Sequence, residues 1–60
     1  MTKKEVLIWY DLEKVTIREG YERLMDAAER AKDVLEANRW HENRVNALHK
    51  EFCRRLTAAE

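Results

Sequence analysis

Proline is absent from this 60-residue chain, and glycine and cysteine occur once each, as Gly20 and Cys53. The strongest punctuation of secondary structure is therefore missing beyond residue 20, and long helices are the natural reading of the rest of the chain. A single thiol excludes an internal disulfide. Domains this small bury only about 60% of the surface their unfolded chains expose, and they usually rely on disulfides, metals or oligomerisation. Of these, oligomerisation is the one the sequence favours, and an unpaired thiol fits a reducing, cytoplasmic compartment. Charge of one sign is also lacking: 12 Lys and Arg balance 12 Asp and Glu. The molecule as a whole has no field to steer it toward nucleic acid or an anionic membrane. No apolar run approaches the length of a membrane span or a signal-peptide core. The longest, Val6-Leu7-Ile8-Trp9-Tyr10, is followed at once by Asp11 and Glu13. A soluble protein with no membrane partner is expected, and its 45% apolar content argues against disorder.

What is present is helical periodicity. Thr16-Ile17-Arg18-Glu19 matches a capping box, which predicts a helix starting at Ile17. From there Ile17, Tyr21, Leu24, Ala28, Ala31 and Leu35 recur at spacings of four and three, the seam of a helix that packs on other helices. Gly20, Ala27 and Ala31 line one edge of that seam, where missing side chains let a second helix approach. A second seam reads His41, Val45, Leu48, Phe52, Leu56 and Ala59. Between the two, Asn38 suits a left-handed C-terminal position and Asn43 an N-cap, so a hairpin turn is predicted over 38–43. Helix 1 then covers 16–38 and helix 2 covers 43–58, within a single domain. The alternative is one helix from 17 to about 58.

The opening segment, residues 1–15, has two readings. Val6 and Ile8 are β-branched and Trp9 and Tyr10 favour strands, which suggests a strand over 4–10. Thr2-Lys3-Lys4-Glu5 is also a capping box, and Ile8, Leu12 and Val15 have helical spacing, which suggests a short first helix. Fully burying five large apolar side chains contributes on the order of 10 kcal/mol as an upper estimate, comparable to the whole stability of an ordinary domain. One helical hairpin covers only part of them. The expected fold class is thus mainly α: a two-helix hairpin with an N-terminal strand-like or short helical apolar segment, assembling as a helical-bundle homo-oligomer such as a homodimeric four-helix bundle. The expected oligomer interface comprises Val6, Leu7, Ile8, Trp9, Tyr10, Leu24, Ala28, Ala31 and Leu35.

Motifs that carry chemistry are scarce. There is no glycine-rich phosphate loop and no nucleophile-base arrangement above background, so the sequence reads as non-enzymatic with no cofactor. His49 and Cys53, four residues apart, are able to reach one metal ion, but His41 is poorly aligned with them and further ligands would have to come from another copy. The simpler reading makes both boundary residues. Charge is segregated. Residues 17–37 carry six acids and four bases, whereas 38–60 carry five bases and three acids. Glu19, Glu22, Asp26, Glu29, Asp33 and Glu36 form an acidic arc. Arg39, Asn43, Asn46, Lys50 and Arg54 fall within about 80° on the helical wheel, with Trp40 nearby. Such residues grip phosphates and read bases, although five of them are also common on any solvated helix face. Trp40 reads either as a cap on the end of the bundle or as an aromatic anchor for a partner. Length, two helices and balanced charge are similar to the plasmid copy-control hairpins that dimerise into four-helix bundles, but Val6–Tyr10 has no counterpart there and no family is assigned. The expected function is a small oligomeric protein-protein interaction or regulatory module that binds itself and a second protein. The alternative is a dimeric nucleic-acid-binding regulator.

Overall fold

Helix formation begins at the second residue. Thr2 is extended (φ −81°, ψ 164°); its hydroxyl accepts from the Glu5 amide at 3.2 Å, and Glu5 Oε1 accepts from the Thr2 amide at 3.1 Å. This reciprocal box satisfies two amides that a helix start leaves unpaired. The hydrogen bond from the Thr2 amide first, and the Thr2 side chain second, lower the Glu5 carboxyl pKa from its ordinary value. The computed structural model, which describes residues 1–59, has two helices, α1 (Lys3–Ala27) and α2 (Ala31–Ala58).

Residues 4–10 are therefore helical and not a strand, in keeping with the capping-box alternative. A strand there would need a pairing partner for its backbone, which an α-helix finds within itself. The helix also runs through Thr16 without a new start. The Thr16 hydroxyl donates to the Leu12 carbonyl at 3.1 Å, the back-bonding available to a threonine inside a helix.

The reversal lies at Ala28-Glu29-Arg30, ten residues before the predicted turn, and 38–43 is uninterrupted helix. It uses no left-handed residue. Ala28 (φ −70°, ψ 127°) and Arg30 (φ −131°, ψ 158°) are both extended. The Asp33 carboxylate, in the first turn of α2, accepts from the backbone amides of Glu29 at 3.2 Å and Arg30 at 3.3 Å, so one side chain closes the turn and caps the helix.

The helices pack antiparallel. Tyr10 stacks on Phe52 with ring centroids 4.0 Å apart. Tyr21 tilts against His41 at 4.7 Å and donates its hydroxyl to Asn38 Oδ1 at 2.5 Å. Val6, Ile17, Ala37 and Leu48 are the buried core. Gly20 admits the Trp40 indole: a Cβ built there would lie 2.6 Å from Cη2. The close approach expected along the small-residue edge thus occurs at Gly20, while Ala27 and Ala31 are exposed. The second seam holds, with Leu48 buried, His41, Phe52 and Leu56 half-buried and Val45 at the rim. The first seam does not extend past the turn. Ala31 and Leu35 belong to α2 and are exposed, as is Leu24. The Cα atoms span 47 × 15 × 8 Å, a slab two helices wide and one helix thick. Both broad faces and the outer edge of each helix are open.

Candidate functional site

An α-helix turns about 100° per residue, so five consecutive apolar side chains at 6–10 cannot share one face. The helix distributes them around its circumference. Val6 is fully buried toward α2, and Tyr10 is half-buried against Phe52. Trp9 is half-buried beneath the Arg55 guanidinium, whose carbon lies 4.0 Å from a ring centroid. Leu7 and Ile8 stay 50% and 52% exposed. Ile8 continues into Leu12, 64% exposed, and Val15, 39% exposed. These three fall within about 60° of one another and about 170° from the mean direction of Val6, Tyr10 and Ile17. Between residues 6 and 15, α1 is apolar on nearly every side, whereas α2 shelters only one. Helices with that pattern are normally buried all round.

Of the expected interface residues, the structure gathers Val6, Leu7, Ile8, Trp9 and Tyr10 on one stretch of helix but leaves only Leu7 and Ile8 largely open. Leu24, Ala28, Ala31 and Leu35 lie around the turn at the opposite end of the slab. Leu12 and Val15 belong to the open patch. Their spacing from Ile8 was the available signal, and it became readable as a face once residues 3–27 formed one helix.

Beside this patch a groove of about 450 Å³ runs between the helices, floored by Tyr10, Ile17, Val45 and Leu48. Lys14 and Arg18 stand at its rim with His41. Lys14 pairs with Asp11 at 3.4 Å and lies 4.8 Å from the Tyr10 centroid.

Arg39, Asn43, Asn46, Lys50 and Arg54 are all exposed along the outer face of α2. Arg54 is engaged: its Nε donates to Glu51 Oε2 at 3.0 Å, and Arg55 Nε donates to Glu51 Oε1 at 2.8 Å. Hydrogen bonds from Arg54 first and Arg55 second hold the Glu51 carboxyl down at about 2, and the Arg54 pKa is raised in return. Trp40 is neither in a turn nor at the end of the bundle. It lies over Gly20, half-buried, with Arg44 5.7 Å from its ring. Cys53 Sγ comes within 3.7 Å of His49 Nε2, while His41 faces Tyr21. No group of three or more potential metal ligands occurs among the described residues, and none of the helices is long and apolar enough to cross a membrane. Comparison with protein-family models, characterised proteins and solved structures finds no match for the chain.

Proposed function

We propose that this chain is a small self-associating interaction module whose contact is the N-terminal half of α1. One observation carries the reading: Ile8, Leu12 and Val15 form an open apolar face on a helix whose opposite side is already packed. Taking each from roughly half exposure to full burial in two copies contributes on the order of 6 kcal/mol before the cost of association. Even with none of that cost subtracted, it corresponds to a dissociation constant of about 40 µM, so the assembly this face drives is weak. A second protein reading the assembled surface fits the same picture, with the Trp40 edge in the interhelical groove as its aromatic contact.

Solution mass measured from about 5 to about 500 µM tests this directly. The parent chain should shift from monomer toward dimer or higher, and Leu12→Asp should remain a helical monomer of lower stability. A chain that stays monomeric and fully helical throughout would discard the proposal.

The outer face of α2 supports a second reading, a nucleic-acid-binding regulator, because Arg39, Asn43, Asn46 and Lys50 are exposed in one stripe. Binding of that kind weakens steeply with salt. Lys50→Glu should then reduce the affinity and flatten the salt slope. An affinity for duplex or single-stranded probes that ignores both salt and Lys50→Glu would exclude it.

A further inference from the structure

The open face of α1 carries charge at both ends of its apolar patch, and the signs differ. Along the same side of the helix, the positions are Lys4, Ile8, Leu12, Val15 and Glu19, at spacings of three and four. Lys4 precedes Leu12 by about 12 Å along the axis and Glu19 comes about 10.5 Å after it. Both are exposed, and neither takes part in an ion pair within the hairpin among the described residues. Glu22 and Asp26 extend the acidic end and are also exposed.

This pattern is complementary to itself when reversed. We infer that the occupant of the face is a second copy of α1 lying antiparallel, with the two-fold axis beside Leu12, so that Ile8 meets Val15 of the second copy and Lys4 meets its Glu19. The inference rests on the self-association reading and adds orientation and register to it. A two-fold perpendicular to both helices creates each contact twice, as an isologous interface requires. The parallel arrangement would set Lys4 against Lys4 and Glu19 against Glu19, and would align the two helix dipoles head to head. The antiparallel one opposes them. The apolar patch alone sets no direction, because Ile8, Leu12 and Val15 read nearly the same in either sense. Orientation is therefore decided by the flanking charges, whose role in such interfaces is to select register and partner more than to add affinity.

Site-directed crosslinking in a Cys53→Ser background distinguishes these arrangements. Lys4→Cys and Glu19→Cys chains, both altered at exposed positions and checked for helicity, are oxidised with glutathione disulfide separately and as a mixture. The equimolar mixture should yield the Lys4→Cys/Glu19→Cys covalent dimer well beyond the twofold excess over either self-dimer that random pairing alone would give. Charge reversal gives an independent readout. Lys4→Glu and Glu19→Lys should each raise the dimer dissociation constant about three- to tenfold, and the double variant should return toward the parent value. Preferential self-crosslinking of Lys4→Cys, or absence of the mixed product from a chain that sediments as a dimer, overturns the antiparallel register while leaving self-association intact. A chain that is monomeric at every concentration overturns both.

Discussion

At Gly20 two opposing effects meet on a single carbon. Alanine is the better helix former by about 1 kcal/mol, and nothing in the backbone of α1 needs the freedom of glycine. Yet an added methyl would stand 2.6 Å from the Trp40 ring, which is held between the helices and must move to admit it. Overpacking of that kind costs roughly 1–3 kcal/mol. Gly20→Ala should thus be neutral to destabilising in the parent chain and stabilising by about 1 kcal/mol once Trp40 is replaced by alanine. The double-mutant cycle, read from chemical denaturation, checks this through the change of sign. Glu51 makes a second residue-scale prediction. Arg54 and Arg55 hold its carboxyl at about 2 in the folded chain, below the value of about 4.3 expected when unfolded. A folded pKa depressed in this way stabilises above the unfolded pKa and is lost as pH falls from about 4.5 toward 2. The melting temperature of the parent should exceed that of Glu51→Gln near pH 6, and the gap should close by about pH 2. Exposure of the cluster keeps the gap to a few degrees at most.

Each helix starts with a side chain that both caps and orients it, and the two starts differ in how plainly the sequence announces them. Thr2 and Glu5 match the capping-box pattern residue for residue, so α1 has a visible beginning. The turn has no such label. Ala28-Glu29-Arg30 contains nothing that favours a reversal, and the closure is made from α2 by Asp33 reaching back to two amides. Asparagines 38 and 43 suit caps and so favour a turn, but both stand in mid-helix, where Ala37 and Trp40 pack against α1 and Asn38 accepts from its Tyr21. Local propensity was outweighed there by the length over which the two helices can pair. The helical seam of α2 was legible because the period of Leu48, Phe52 and Leu56 does not depend on where the turn falls. The first seam was legible only up to the turn. For the same reason the open face of α1 was half visible: Ile8, Leu12 and Val15 show the spacing, but their exposure results from the helix continuing to Ala27. Asp33→Ala should expose how much the turn depends on this one carboxylate. It removes two amide contacts and a first-turn acid, so a loss of about 1–2 kcal/mol is expected, measured by denaturation. Thr2→Ala should cost less, because a frayed first turn leaves the amides accessible to water.

A slab one helix thick has little interior, and among the described residues this one keeps only Val6, Ile17, Ala37 and Leu48 out of water. The remaining apolar contacts are half-buried pairs such as Tyr10 with Phe52, which lie at the open faces. Folding of an isolated copy is therefore marginal by size and by core. If association covers the face of α1, it also adds the missing layer, and folding and assembly draw on the same contacts. Thermal stability then depends on how much protein is present, since anything that binds the native chain alone raises its apparent stability by mass action. With an unfolding enthalpy of about 0.7 kcal/mol per residue, a dimer of this length should gain on the order of 5 °C in melting temperature per tenfold rise in concentration. Leu12→Asp should melt at one temperature regardless of concentration. Ile17→Ala makes the useful contrast: it hollows the core of each hairpin and lowers the melting temperature, but should preserve the concentration dependence because the outer face of α1 is untouched. A concentration-independent melt for the parent would mean that the hairpin stands alone, and that the wet apolar side of α1 contributes nothing to holding the fold.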